Sequence, residues 1–420
     1  MSGFGDVARS TLPSGVPVFV ARVDSEVAAI SASVRAGSRD EPPGALGATH
    51  MLEHLLLRRR EAGDAISFVT EVDALGGEAN ALTAREELIA FCRVPADQAV
   101  AAMELLVRSV AEQPVPGEVF ESERRVILEE LRARASDPGE VAHDLLFETA
   151  FPGAGLGRPV PGTIESVSAL RPSTVEALRR ERVHAGTVGL VFVGPYDLED
   201  VVARLGSTSL AELPTGEWAP VRTPPRFAAQ RHGSPYARSV RSDYASVVLG
   251  AEGVPYAHRD RPAAEVLAVL LGGAASSLLY TELRDRLGLA YSIWANHRAY
   301  TDAGVLRIQV DADPRTVAEV VEVSRSLIAA RVAEGWSERE LSVARAQCAG
   351  QLLLECESAV DLALAIARNR HVGGLEGWTL ARHRAAIAGV GADRLHELAR
   401  TLLGGGIAAF VATDSEANEP

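Results

Sequence analysis

Two hydrophobic periods alternate along the chain, and they do so twice in the same order. Each half opens on an apolar, β-branched run, PVFVARVDSEVAAISASVRAGS in the first and YASVVLGAEGV in the second, which reads as strand. A polar loop follows, with Arg39-Asp40 or Arg259-Asp260, and then an apolar helix from about Leu46 or Pro262. Next comes a helix ending in Leu75-Gly76 or Leu287-Gly288, and then a hairpin-like stretch, ANALTAREELIAFCRV or AYSIWANHRAYTDAGVLRIQV. Two long helical patterns follow in each half, over about 95–134 and about 313–356. Strands followed by paired helices, twice over, predict an α+β fold of two tandem homologous domains, each a mixed or antiparallel sheet packed with helices. Residues 207–235 are rich in Pro, Ser, Thr and Gly, lack an apolar period and read as a linker. The expected division is a first domain over 1–210, a linker over 211–232 and a second domain of the same fold over 233–420.

Composition narrows the chemistry. The chain has 420 residues and is 47% hydrophobic and 23% charged, an ordinary globular balance. No apolar run approaches the ~18–20 residues of a membrane span, and the N-terminal stretch lacks the apolar core of a secretory signal. The three cysteines, Cys92, Cys348 and Cys356, are odd in number and far apart, so they read as reduced core residues of a cytoplasmic protein. A net charge of −14 argues against nucleic acid as a partner. All 42 basic residues are arginine, which excludes chemistry that needs a lysine of its own, such as Schiff bases and Walker-A phosphate binding.

The sharpest local feature is the run His50-Met51-Leu52-Glu53-His54. On a helix, His50, Glu53 and His54 share roughly a 100° arc, with Met51, Leu52, Leu55 and Leu56 on the opposite side. Two imidazoles at i and i+4 can grip one tetrahedral zinc, and the carboxylate between them can activate a water. A polar arc opposite an apolar one is also what any surface helix shows. The second helix, ESERRVILEELRAR, shifts the balance towards a metal site, the alternative being that its stripe is merely half-exposed. There Glu123, Val126, Ile127 and Glu130 form the apolar stripe, while Arg125, Glu129 and Arg132 lie opposite. Two acids on a buried stripe need a partner for their charge, and a zinc ion with one direct and one supporting carboxylate supplies it. Two His and one Glu leave a fourth position open, the arrangement of catalytic zinc. The remaining histidines, such as His184 and His371, show no second ligand spacing and read as surface or satisfied core residues.

These residues resemble the pitrilysin/insulinase family of inverzincin zinc metallopeptidases, in particular its short, processing-peptidase-like members. The family pattern is H-x-x-E-H followed by a distant E-R-x-V-x-x-x-E helix, and here Glu130 follows His54 by 76 positions. The resemblance implies His50, His54 and Glu130 as ligands of one zinc ion per chain, Glu53 as general base and Glu123 as the supporting carboxylate. LGGEANALTAREE resembles the family's edge strand, where Asn80 and Ala81 pair with substrate backbone. GGAASSLLYTELRDRLGLAY resembles the segment that supplies a substrate-binding Arg and Tyr, here Arg284 and Tyr291, with Tyr291 placed to stabilise an oxyanion. The chain departs from the family at Leu57-Arg58-Arg59-Arg60, where an aromatic and Lys-Gly-Thr are usual, and at Leu287, where a second Arg is common. The family's glycine-rich loop is reduced to Gly272-Gly273. The two domains are expected to form half of a clamshell.

The implied activity is endopeptidase action on peptides or unfolded segments, with a dedicated precursor-processing role as a refinement. The run Arg58-Arg59-Arg60 would suit an acidic leader segment, although cations ending a helix also simply complement its dipole. The alternative is a non-catalytic scaffold or partner subunit of a heterodimeric peptidase of the same family, but such chains usually break H-x-x-E-H. One zinc set and one Arg–Tyr set on a chain of half-shell length imply a dimer, of copies or with a related chain, acting on peptide and on neither nucleic acid nor membrane.

Overall fold

The structure is a computed structural model. It describes residues 6–58, 67–111, 117–217 and 225–414. Before the linker the chain forms β1 (Val7–Thr11), β2 (Pro17–Arg22), β3 (Val27–Val34), α1 (Ala48–Leu57), α2 (Phe68–Ala74), β4 (Glu78–Thr83) and β5 (Leu88–Pro95). It continues through α3 (Ala99–Ala111), α4 (Gly117–Ala135), α5 (Pro138–Ala150), α6 (Ile164–Ala169), α7 (Pro172–Arg182), β6 (Val188–Gly194) and α8 (Leu198–Leu205). Beyond the linker come β7 (Tyr236–Ser239), β8 (Ala245–Glu252), α9 (Arg261–Ala268), β9 (Ala290–Ala299), β10 (Gly304–Ala312), α10 (Val317–Glu334) and α11 (Glu338–Leu354). The last elements are α12 (Ala359–Ile366), α13 (Leu380–Ala388), α14 (Ala392–Leu403) and β11 (Ala408–Thr413). π-helical turns at Val269–Gly273, Tyr280–Arg286 and Ala367–Val372 interrupt the second set.

Two sheets packed with helices result, in the α+β class the hydrophobic pattern predicts. The first has the order β1-β2-β6-β3-β5-β4 and is antiparallel except between β2 and β6. The second has the order β7-β11-β8-β10-β9 and is antiparallel except between β7 and β11. In each, the hairpin after the second helix supplies an edge strand, β4 in one and β9 in the other. The Leu-Gly helix ends are stop signals in fact: Gly76 and Gly288 both sit at positive φ, of 73° and 66°.

The compact units do not follow the cut at 211–232. One comprises Met1–Leu131, Arg158–Val221 and Leu353–Ala381, and the other Arg132–Gly157, Arg222–Leu352 and Arg382–Pro420. A stretch from each half of the chain is thus exchanged into the unit built mainly by the other half. The reason lies in the central strands, which are buried on both faces. On β3, Ala28, Ile30, Ala32 and Val34 join the core that holds α1 and α3. The alternate residues Ala29, Ser31 and Ser33 are buried too, under α12 and the turn that follows it. On β8, Val247 and Leu249 face one core, while Val248 packs with Leu146 and Phe147 of α5 in another. Burying either of those α5 side chains contributes about 1.5–3 kcal/mol.

Each exchanged stretch docks where a strand carries a glycine. A Cβ on Gly250 of β8 would stand 2.4 Å from Leu146, and one on Gly189 of β6 would stand 2.7 Å from the ring of His371. His371 is buried, with its Nδ1 2.7 Å from Ser33 Oγ. Burial, helped by the nearby charges of Arg35 and Arg9, pushes its pKa down to about 3. The ring is therefore a neutral core residue, in line with the sequence reading of the spare histidines.

The unfolded imidazole takes a proton near pH 6.5, and the folded one only near 3. Between those values the unfolded state holds the extra proton, so this group makes stability fall as pH drops. The double variant Ser33→Ala/His371→Leu is expected to flatten that dependence by about 1.4 kcal/mol per pH unit. Urea unfolding at several pH values between about 4 and 6 measures it. An unchanged slope would mean that the native ring is already charged.

Candidate metal centre

Helix α1 begins at Gly47, whose φ of 85° is left-handed and whose N-cap position has no side chain to cap the first turn. A Cβ there would also stand 2.7 Å from the Pro161 carbonyl oxygen. The cap comes from Glu41 instead. Its carboxylate accepts the N–H of Gly47 at 2.8 Å and that of Thr49 at 2.7 Å, and lies at the positive end of the helix dipole. Arg158 in turn donates to the Glu41 carbonyl, at 2.5 Å. Burial pushes the Glu41 carboxyl up to about 7, against the downward pull of those N–H bonds and of Arg158.

The apolar arc of α1 is as expected, with Met51, Leu52, Leu55 and Leu56 all buried. His50, Glu53 and His54 are half-buried on the other side. The two imidazoles meet edge to face, with centroids 4.8 Å apart. Glu130 of α4 brings one carboxylate oxygen to 3.9 Å from His50 Nε2 and 3.6 Å from His54 Nε2. Neither distance is a hydrogen bond. Both are close to the ~3.4 Å edge of a tetrahedron of donors at zinc–ligand distance. The three donor atoms lie within 4.8 Å of one another, and this is the one such group of possible metal ligands among the described residues. Two imidazole nitrogens and one carboxylate oxygen converging without bonding each other fit a divalent cation, zinc by donor type.

Glu123 reaches this centre through His54. Its Oε2 lies 3.1 Å from His54 Nδ1, which fixes the proton on that nitrogen and leaves Nε2 free to ligate. Its Oε1 lies 3.4 Å from Arg58 Nε. Those two contacts give this carboxylate, only 7% exposed, its partners inside the protein. Arg58 thereby has a partner inside the protein, while Arg59 and Arg60 lie outside the described residues. On the same helix Glu130 is exposed, so only Glu123 of the two acids lies on the buried face, and Val126 also departs from the expected stripe. Val126 is 44% exposed, and the buried face runs through Phe120, Glu123, Ile127 and Leu131, so the helix is turned slightly from the assumed stripe.

Burial raises the pKa of Glu53, and the charge of Glu130 adds to the rise, while Thr83 of β4 and the His54 charge pull it down. A divalent cation at the three donors would also pull it down. The proximity of Thr83 places Glu53 beside the edge strand. Asn80 and Ala81 lie on β4, in register with Phe91 and Ala90 of β5. Asn80 is exposed, and its Oδ1 accepts the Ala81 N–H at 2.8 Å, so a strand added along β4 must compete with that bond.

Arg284 and Tyr291 belong to the other unit. Arg284 is exposed on the π-helical turn, hydrogen-bonded to the Tyr280 hydroxyl and stacked on its ring at 4.9 Å. Tyr291 is 83% exposed on β9, which rules out a core role for it. Glu41 and Thr83 were not legible as site residues: Glu41 acts across a loop and Thr83 from a strand, where no helical period links either to the motif.

An H-x-x-E-H helix, a carboxylate from a second helix and a twofold sheet-and-helix plan define an inverzincin-type chain. Comparison with known proteins agrees. Residues 18–164 match the insulinase family (peptidase family M16), and residues 171–348 match the peptidase M16 inactive domain. An uncharacterized zinc protease of Streptomyces coelicolor is 30% identical over 96% of this chain and 88% of its own length. One of Bacillus subtilis is 25% identical over 84% and 85%. Among solved structures, a protease from Helicobacter pylori has a TM-score of 0.87 at 21% identity, over 97% of this chain and 99% of that one. A peptidase M16 inactive domain from Pseudomonas fluorescens gives 0.88 at 17% identity, over 99% and 100%. The chain belongs to the pitrilysin/insulinase family, peptidase family M16.

Glu123→Ala is expected to weaken zinc binding by about 10–100-fold, and Glu123→Gln, which still accepts from Nδ1–H, by much less. Competition titration against a fluorescent zinc chelator measures both. Equal affinity for all three proteins would make Glu123 a packing residue only.

Proposed function

We propose that this chain is a zinc endopeptidase acting on peptides or unfolded segments. The observation that carries the reading is the convergence of His50, His54 and Glu130 beside Glu53, next to an edge strand. Zinc held by those three residues supplies Lewis-acid polarisation and eases deprotonation of water. A peptide laid along β4 presents its backbone to the strand edge, which gives affinity with little sequence preference. Glu53 takes a proton from the attacking water as the C–O bond forms, and returns it to the leaving nitrogen as the C–N bond breaks. The products are one chain ending in a carboxylate and one beginning with an amine. The complete donor set speaks against a scaffold that has lost its metal. No described helix is long and apolar enough to cross a membrane.

The same reading extends to assembly. The resemblance implies that the Arg–Tyr pair serves a partner's metal centre, so the working form is a dimer, of copies or with a related chain. Tyr291, standing 83% exposed on an edge strand, supports it, because so large an aromatic surface is seldom left to water without a use.

Purified chain should carry about one zinc and cleave a mixed pool of unstructured peptides, while Glu53→Gln keeps the metal and loses at least about 10²-fold in rate. Metal analysis and mass spectrometry of the peptide pool decide it. Cleavage by Glu53→Gln at the parent rate would refute the assignment. For assembly, light scattering during size exclusion is expected to show a dimer, and a fully active monomer would overturn that reading.

A further inference from the structure

Of the E-R-x-V-x-x-x-E pattern on α4, the metal centre accounts for both acids and leaves Arg124 without a role. The Arg124 side chain is only 13% exposed and lies over the Phe120 ring at 5.0 Å. Its Nε and Nη2 each donate to the Glu121 carboxylate at 3.0 Å. The other bonds go to main-chain carbonyls at the end of α6. Nη1 donates to Val167 and to Ser168, each at 2.7 Å, and Nη2 to Leu170 at 2.6 Å. Two bonds to Glu121 and three to carbonyls use all five N–H donors of the guanidinium. The cation also sits at the negative end of the α6 dipole.

Those three carbonyls belong to a segment that is fastened to the other helix of the metal centre. At its start Arg158 donates to the Glu41 carbonyl at 2.5 Å, and at the end of α7 Arg182 donates to the Asp40 carbonyl at 2.7 Å. Both ends of the 158–182 segment are thus tied to the loop that caps α1. Between them its backbone presses on the first turn of α1. A Cβ on Gly162, whose φ is 79°, would stand 2.9 Å from Gly47 Cα and from the Leu46 carbonyl oxygen. A Cβ on Gly47 would stand 3.0 Å from the buried Val167 side chain. The Thr163–Ser166 capping box fixes the start of α6 in between. The segment is a strap, fastened to α1 by its ends and to α4 by Arg124, and all of it lies in one compact unit.

We propose that Arg124 is a positioning residue for the metal centre, setting through this strap the distance from α4 to α1 at which Glu130 meets the two imidazoles. The inference rests on the metal-centre reading above. Glu123 already bonds His54, but a helix held at one point can pivot about it. Arg124 follows Glu123 directly and points about 100° further round α4, so it adds a second fixed point on another face. Three carbonyls gripped from one rigid plane resist the pivot. Lysine keeps the charge but offers three donors from a single point, so it replaces the fork only in part. Metal–donor distances tolerate about 0.2 Å, so a small drift of α4 is felt as lost affinity.

The test measures two properties of the full chain: zinc affinity, by chelator competition, and the visible spectrum with cobalt in place of zinc, which reports donor number and geometry. Arg124→Met, or Arg124→Gln should the first not fold, is expected to weaken zinc at least about tenfold and to change the cobalt spectrum. Arg124→Lys is expected to recover part of the affinity. Gly162→Ala, with Arg124 intact, should push the strap off α1 and change the spectrum in its own right. Tyr196→Phe controls for lost stability. It removes a hydrogen bond of 2.8 Å to the Ala96 carbonyl, beyond the far end of β5, and should leave affinity and spectrum as in the parent. Parent-like affinity and spectrum without Arg124, or an equal loss in Tyr196→Phe, would overturn the proposal alone. A parent chain that binds no metal would overturn the metal-centre reading, and this proposal with it.

Discussion

The metal centre proposed for this chain depends on holding one short helix at one rotation. Side-chain tips stand about 5–6 Å from a helix axis, so a turn of 10° moves them about 1 Å. Metal–donor distances tolerate about 0.2 Å. Two buried carboxylates impose that rotation on α1. Glu41 holds the first turn by its N–H groups, and Glu123 holds the last histidine by its ring nitrogen. The buried leucine and methionine arc alone would not suffice, since apolar contacts are non-directional. Hydrogen bonds to these two carboxyl groups supply the direction.

The motif helix and the two acids of α4 were legible because both lie within one helical period, where spacing dictates geometry. Even there the stripe was misjudged at Val126: its apolar character suited the inside, but the buried row follows Phe120, Ile127 and Leu131. The Glu41 cap was hidden because its carboxylate reaches back across the loop that precedes α1, and only the folded loop brings it to the N–H groups. The exchange of α5 and α12 was hidden for a different reason. Periodicity reports which face of a helix is apolar, as with Leu145 and Leu146, and is silent on which sheet receives that face.

The two units show how one plan carries different chemistry. The same pair of helices meets in each. In one, imidazoles and carboxylates from the two helices face each other across a gap sized for a cation. In the other, the Gln351 amide of α11 donates to the Gly273 carbonyl, and the lining of the neighbouring space includes an aromatic ring, arginines and hydroxyl-bearing residues. Five strands keep the same order in both sheets, so the difference lies in the side chains and in the π-helical turn that ends α9.

The exchanged stretches bear on the order in which the protein can be made. The first sheet is complete once β6 has been synthesised, yet the cover for its second face, α12 and the turn holding His371, comes more than 150 residues later. Until then Ser31, Ser33 and the notch at Gly189 face solvent or a chaperone. α5, by contrast, is made early and waits for β8 and β11. Contacts so distant in sequence slow folding and leave apolar surface open while the chain is still growing. A gene divided at the linker would therefore yield two fragments, each bearing a piece of the other's covering, and neither with both faces of its sheet closed.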